Sequence, residues 1–381
     1  MKVVVTLACV LGLALFVVCS ATFTPATGGP SDAEQTTEVM RNALRGRRWI
    51  EFKEGERAWL TEKQIQQLIN AKAHFMDVTD HPGLRPIDGL TSSTLPDVLI
   101  PRHPESIDKL LKELSAEQIG QTITDLSQLY TRFYTSTTGV EGAKLLHSKY
   151  SEFARNQSHI SVRFFEHTWP QPSVIARIEG TGENAHELVI LGGHEDSVGF
   201  STTGRSPGAD DDASGSSSVL EVFRVLASNG FRGSRSIEFH AYAAEEVGLL
   251  GSQAIASTYQ KEGKVVAGMM QLDMVGYVNN NDPVFGIVTD YVNESLTQFV
   301  RELAQEYTHL PVKNTKCGYG CSDHASWTKA GYPSAFPFET DFSNINPNIH
   351  SPQDTLDKIS TEHAREFAKV ALAFLVELST Q

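Results

Sequence analysis

Positive charge is scarce in this chain. Its 32 Lys and Arg stand against 46 Asp and Glu, a formal net charge of -14 at pH 7, and no basic patch interrupts that acidity. The balance argues against nucleic acid or an anionic membrane as a partner. Cysteine is scarcer still, with four in 381 residues, too few for a fold built on disulfides. Long hydrophobic runs are missing after the first twenty residues. The stretch Val3 to Val18, preceded by Met1-Lys2 and followed by the small residues Ser20 and Ala21, reads as a signal peptide over 1–20 of a secreted protein, and no later segment is apolar enough for long enough to span a bilayer. Its removal takes Cys9 and Cys19 with it. The remaining Cys317 and Cys321 are close enough for a small disulfide loop in an oxidising compartment; the spacing also suits a metal, but partner ligands are missing, so a disulfide is expected.

What the chain does have is a series of apolar runs that end in acids or histidine. Glu187-Leu-Val-Ile-Leu-Gly-Gly-His194 reads as a buried parallel strand ending at a crevice, where ligands gather. Residues two apart on an extended segment share a face, so Asp196 can take the hydrogen bond from the second ring nitrogen of His194 and fix the tautomer that binds metal. A lone His-x-Asp is more often a surface histidine beside a carboxylate. Next comes Pro207-Gly-Ala-Asp-Asp-Asp-Ala-Ser-Gly215, whose three adjacent carboxylates repel one another unless solvated, capped or bound to a cation. Val219, Val222, Phe223 and Leu226 follow at helical spacing, which places the acidic turn at a helix N-terminus. Capping by Asp212 or Ser214 accounts for one acid and leaves Asp211 free to bridge two metals.

Ser236 to Ala244 is another apolar run, closed by Glu245-Glu246. On a turning backbone, neighbouring side chains diverge, so one carboxylate can bind metal while the other faces a water as general base. A bare Glu-Glu pair is usually a solvated surface feature; its place after a strand raises its significance. Val265 to Leu272 ends in Asp273-Met274, and Asn346-Pro-Asn-Ile-His350 sets a histidine in a proline-stiffened loop shortly before Asp354. Two histidines with three carboxylates suit a pair of borderline divalent ions, zinc first, with cobalt or manganese able to substitute.

These segments, together with Gln271-Leu-Asp-Met274 and Cys317-Gly-Tyr-Gly-Cys-Ser-Asp-His-Ala-Ser-Trp327, resemble the secreted bacterial and fungal leucine aminopeptidases, which are two-zinc metallopeptidases. The resemblance runs from about Leu95 to the C-terminus. It implies that His194 and Asp273 bind one zinc, that Glu246 and His350 bind the other, and that Asp211 bridges them. Glu245 becomes the general base, Asp196 orients His194, and Tyr319 stabilises the oxyanion. Glu195 departs from the usual apolar residue, and the loop from Ser197 to Pro207 is particular to this chain; both bear on substrate access. Glu245 would take a proton from the attacking water and return it to the leaving amine. A free α-amine would meet a metal and Asp273, which limits the reaction to peptide substrates with a free N-terminus. The side chain of the first residue would lie against Met274, Phe336, Phe338, Phe342, Ile345 and Ile349, although an ordinary core is the commoner use of any one of them.

Before the catalytic part lies a stretch of different character, 21–90. It contains the basic cluster Arg45-Gly-Arg-Arg48 and a capping box, Thr61-Glu-Lys-Gln64, followed by Ile65, Leu68 and Ile69 at helical spacing. The stretch is too short to bury a core alone, so it packs on the rest or is removed; in the fungal relatives the corresponding region is a propeptide. The boundary is placed near Leu90, leaving 91–381 as one metallo-aminopeptidase domain. Helices are expected at Ile107 to Leu114, Ile119 to Phe133 and Gly142 to Phe153, then strands alternating with helices, closed by a helix carrying Phe367, Val370, Phe374 and Leu378. The expected fold is a three-layer α/β/α sandwich with a mixed, largely parallel central sheet, of the zinc-exopeptidase kind. Asn156-Gln-Ser and Asn293-Glu-Ser fit the glycosylation pattern, and the chain is expected to act as a monomer. Two rivals have different needs. A glutaminyl cyclase of similar fold uses a single zinc, and a non-catalytic ectodomain of peptidase ancestry would have lost ligands or the base.

Overall fold

The computed structural model describes residues 46–87, 99–102 and 104–380. The expected signal peptide, the start of the 21–90 segment and its boundary near Leu90 lie outside the described residues. The chain begins with a hairpin, β1 (Arg47–Lys53) and β2 (Glu56–Thr61), then α1 (Glu62–Asn70) and the short β3 (Met76–Asp77), with β1 central in a three-stranded antiparallel sheet. Thr61 and Gln64 form the capping box anticipated from their spacing. Ile65 and Ile69 of α1 are buried together with Ile50 and Phe75 against Phe133, Val198, Ala244, Val247 and Leu250, so this small unit has no core of its own and shares one with the rest of the chain.

Three helices follow, α2 (Pro104–Leu111), α3 (Ala116–Ser127) and α4 (Thr137–Phe153). The second ends six residues before Phe133, the limit set by periodicity. Ile119, Ile123 and Leu126 enter the main core, whereas Phe133 belongs to the cluster under α1, so an apolar residue serving a different core prolonged the apparent helix.

The central sheet is built from β4 (Ile160–Phe165), β5 (Ser173–Ile178), β6 (Glu187–His194), β7 (Ser236–Tyr242), β8 (Val265–Gln271) and a short edge strand, Ser334–Ala335. Its order is Ser334–Ala335, β8, β6, β7, β5, β4; the first four run parallel and the last two antiparallel. Between them lie α5 (Ala213–Ser228) after β6 and α6 (Leu250–Lys261) after β7. A second small sheet joins β9 (Phe285–Val288), β10 (Val312–Thr315) and Pro337–Phe338, which are accompanied by α7 (Glu294–Tyr307) and α8 (His324–Lys329). The chain closes with α9 (Thr361–Thr380). Every residue of β6 is buried. Val189 and Leu191 face a core shared with α3, α5 and α9, while Leu188 and Ile190 face Ile255, Tyr259 and Trp327 of α6 and α8. This period-two division between two helical layers is the expected three-layer arrangement.

Below β7 sits a buried polar group unrelated to any crevice. Glu238 accepts from Arg177 at 3.0 Å and from the Tyr259 hydroxyl at 2.7 Å, and lies 3.0 Å from His240 Nε2. Burial pushes its carboxyl up, but the bonds from His240 and Tyr259 and the charges of His240 and Arg177 outweigh it and hold the group at about 2. The folded value lies below the unfolded one, so this contribution is fully present above about 4.5 and is lost as pH falls through about 2. Glu238→Gln should therefore cost ~3 kcal/mol in urea unfolding at neutral pH, and the difference from the parent should shrink steadily on acidification below the ordinary carboxylate range; a difference independent of pH would contradict this account.

Candidate metal centre

The parallel strands deliver their C-terminal ends to one edge, and the site is made there. His194 ends β6, Glu245 and Glu246 follow β7, Asp273 follows β8, Asp211 stands before α5, and His350 comes from the loop ahead of α9. Ala244, Met274 and His350 hold φ of 58°, 58° and 56°, a left-handed conformation that non-glycine residues adopt at a cost and that clusters where geometry is functional.

Asp211 is the centre of the arrangement. Its Oδ1 lies 3.1 Å from His194 Nε2, and its Oδ2 lies 3.2 Å from His350 Nε2. His194 Nε2 is also 3.5 Å from Asp273 Oδ1, and His350 Nε2 is 2.9 Å from Glu246 Oε2. Two donor sets result, His194 with Asp211 and Asp273, and Asp211 with Glu246 and His350, each with its ligand atoms within 4.8 Å of one another. One carboxylate thus presents one oxygen to each set. Imidazole and carboxylate donors at these separations fit a borderline divalent cation.

Charge supports the fit. Burial pushes the Asp211 carboxyl up, yet the bonds to His194 and His350 and their charges hold it far below its ordinary value. Glu246 goes the other way, raised to about 7 by burial and by Asp211 against the pull of His350. Glu245 is likewise pushed well up by burial, with Asp273, Asp323 and Glu246 adding to it and His194 opposing. A cation relieves this repulsion.

The surrounding hydrogen bonds hold the donors in place. Asp196 Oδ1 lies 3.4 Å from His194 Nδ1, a charge contact and not the hydrogen bond anticipated, and the carboxylate accepts the backbone N–H of Glu245 at 3.0 Å and Glu246 at 3.2 Å. Asp212 caps α5 through Gly215 and accepts from the backbone of His194 and Met274. Asp354 accepts from the N–H groups of Asp210 at 3.0 Å and Asp211 at 3.1 Å. Nδ1 of His350 lies 3.2 Å from the carbonyl of Ile69; a carbonyl only accepts, so Nδ1 carries the proton and Nε2 is left for a metal. Arg132, fully buried, donates to the carbonyls of Glu195, Pro207 and Gly208 and thereby ties down the loop that leads to Asp211. Nothing in the sequence around Arg132 marks it. Glu195 is buried with neither carboxylate oxygen bonded, and burial pushes its carboxyl well up, the neighbouring Asp196 adding to it.

Beside the donors is a cavity of about 70 Å³. Met274, Phe338, Phe342, Ile345 and Ile349, five of the six residues named for the side-chain pocket, line it; Phe336 belongs to the same apolar cluster but is not at the lining and stacks on His324. The 46–87 segment contributes Ile69, Lys72, Ala73, His74 and Phe75 to the lining, and donor residues themselves form the cavity floor. Cys317 and Cys321 form the expected disulfide. His324 lies close to both sulfurs, a neighbour that spacing alone did not reveal; joined in a disulfide, the sulfurs are not thiolate donors. Tyr319 lies between the cysteines in sequence and has its hydroxyl engaged elsewhere: it donates to Glu51 of β1, and its ring packs with Met76, Val78 and Leu249.

Residues 173–375 match the description of peptidase family M28. The chain belongs to that family. Among curated relatives, leucine aminopeptidase 1 of Chaetomium globosum is 37% identical over 346 residues, covering 87% of this chain and 84% of that protein. Leucine aminopeptidase 1 of Leptosphaeria maculans is 36% identical and covers 96% of this chain and 97% of its own length. Among solved structures, the LapA aminopeptidase of Legionella pneumophila is 34% identical with a TM-score of 0.77, covering 85% of this chain and 91% of that one. This M28 peptidase is thus a member of the leucine aminopeptidase group anticipated from its motifs.

Asp354 belongs to neither donor set yet fixes the backbone of the residue common to both. Asp354→Ala is expected to keep the fold while weakening divalent metal binding by ~10- to 100-fold, measured by equilibrium dialysis against zinc. Unaltered affinity would show that the two backbone bonds are dispensable.

Proposed function

We propose that this M28 peptidase is a secreted zinc-dependent aminopeptidase that removes N-terminal, preferably leucine-like, residues from peptides. The observation that carries this is the pair of donor sets sharing Asp211. His194 and Asp273 would hold one zinc, Glu246 and His350 the second, with Asp211 between them. Bound zinc supplies Lewis acidity toward the scissile carbonyl, a lowered pKa for water and neutralisation of developing charge.

The chain's own residues account for the remaining steps. Glu245 is in neither donor set, and its Oε2 lies 4.0 Å from His194 Nε2. It takes a proton from the attacking water and returns it to the leaving amine, and a carboxyl pushed up by burial is suited to doing so near neutral pH. Asp196 holds both His194 and the backbone that carries Glu245. Tyr319 donates to the oxyanion once its hydroxyl is free. Asp273 receives the α-amine of the substrate, and an interior peptide bond offers none. Preference for leucine-like side chains is supported by the apolar wall from Met274 to Ile349 and by the names of the fungal relatives. A single-zinc cyclase would leave one donor set without a task, and a non-catalytic ectodomain would have no use for a complete set of ligands and base.

Secretion follows from the 1–20 signal peptide, and no helix among the described residues is long and apolar enough to cross a membrane. Asn156 and Asn293 are exposed and are the proposed glycan sites; the enzyme is taken as a monomer. The 21–90 segment is proposed to be a propeptide, with 91–381 as the catalytic domain. Its part from 46 to 87 docks through Asp77 N–H to the Gly248 carbonyl at 3.0 Å, Lys72 Nζ to the Pro347 carbonyl at 3.1 Å and the shared core around Ile65 and Ile69. Because Ala73, His74 and Phe75 line the cavity, the docked segment stands where substrate has to enter.

Glu245→Gln should keep zinc content near that of the parent while lowering turnover of a leucyl amide by ~100-fold or more; full turnover would remove Glu245 from its role. The chain expressed from Ala21 should gain activity when limited proteolysis trims it toward Leu90. Equal rates before and after trimming would leave the segment only a folding role.

A further inference from the structure

Lys329 ends α8, and its ammonium stands between two claimants. Nζ donates to the Glu51 carboxylate and lies 3.5 Å from the hydroxyl oxygen of Tyr319. Glu51 is fully buried and also accepts from the Tyr319 hydroxyl and the Arg57 guanidinium. Burial pushes the Glu51 carboxyl up, but the bonds from Lys329 and Tyr319, with the charges of Lys329 and Arg57, outweigh it and hold the group below its ordinary range. A phenol has one proton to give. While Glu51 receives that proton, none is left for a developing oxyanion.

Glu51 and Arg57 belong to the segment proposed to be removed, whereas Lys329 stays. Tyr291 stays as well, packed edge-on to the Tyr319 ring with centroids 5.0 Å apart. Asp290 remains too, holding the disulfide loop through the N–H groups of Cys317 at 3.1 Å and Gly318 at 2.9 Å. The charged groups acting on the phenol are Glu51, Glu54 and Arg57 from the segment and Lys329 from α8.

We propose that Lys329 is a positioning residue for Tyr319: once Glu51 has left with the segment, the ammonium donates to the phenol oxygen and leaves the phenol proton free for the tetrahedral oxyanion. An ammonium has three donors and no acceptor, so it cannot compete for that proton. Its charge also makes the phenol a stronger donor, since it stabilises negative charge accumulating on the oxygen. No covalent bond changes in this handover; one hydrogen-bond acceptor is exchanged for another. The proposal rests on Tyr319 as oxyanion donor and on the segment as removable, both stated above.

The test expresses the chain from Ala21, processes the folded protein by limited proteolysis, and compares kcat and KM for a leucyl amide in the parent, Lys329→Met, Lys329→Arg, Tyr319→Phe and the Lys329→Met/Tyr319→Phe double variant. Lys329→Met should lower kcat about 10-fold with KM changed by less than about twofold. Its alkaline limb should move to higher pH, because the phenol loses the cation that eases its ionisation. Lys329→Arg should restore most of both effects, and zinc content and melting temperature should match the parent. In the Tyr319→Phe background, Lys329→Met should cost nothing further. An unchanged kcat and limb in Lys329→Met overturns the proposal, as does a loss that persists in full when Tyr319 is already absent. Full activity of Tyr319→Phe removes the oxyanion reading itself, and the role of Lys329 falls with it.

Discussion

Mutual repulsion among carboxylates shut away from water is the constraint to which the rest of this molecule answers. Asp196, Asp210, Asp211, Asp212, Glu246, Asp273 and Asp354 are all buried at one edge of the sheet, where an unpaired charge is expensive. The backbone satisfies some of them. Asp196, Asp212 and Asp354 each accept at least two main-chain N–H groups, and Asp210 takes the side chain of Asn346 and the N–H of Gly276. Asp211 and Asp273 are left facing imidazoles, with Asp273 Oδ1 lacking any hydrogen bond. Glu246 does both, taking the N–H of Val198 at 2.9 Å on one oxygen and facing His350 with the other; the acids turned to His194 and His350 are the proposed donors.

Much of this could be seen in the chain before any coordinates. Several site residues end an apolar run, because a parallel strand buried on both faces must be hydrophobic until it emerges at the crevice, and His194, Glu245, Glu246 and Asp273 all mark such exits; Asp211 and His350 come from a turn and a loop instead. The acidic turn at Asp210 to Asp212 showed itself by its improbability outside a capped or metal-bound setting. Other parts left no local trace. Arg132 acts on three carbonyls more than sixty residues away, and no periodicity encodes a contact of that range. Phe133 looked like helix because a residue buried in one core cannot be told by spacing from one buried in another. In the Arg47 to Thr61 hairpin, charged and aromatic residues alternate on half-buried strands, which hid strands behind what read as a basic cluster.

The segment from 46 to 87 does more than cover an opening. Its Ile69 carbonyl faces Nδ1 of a metal-donor histidine, its Glu51 holds the hydroxyl of Tyr319, and its Phe75 and His74 line the cavity. The same surface therefore touches one of the proposed donors while it lines the cavity. On the proposed reading of the segment as a propeptide, maturation would exchange a partner of His350 for access to the pocket.

Arg132 has a consequence for where this protein can be cut. It lies well ahead of residue 173, where the match to peptidase family M28 begins. Yet its guanidinium is what three buried carbonyls of the Glu195 to Gly208 loop are bonded to. A recombinant fragment cut to residues 173–375 would contain every proposed metal donor and still leave those carbonyls unsatisfied. Keeping all of the site's side chains is therefore not the same as keeping the backbone that aims them.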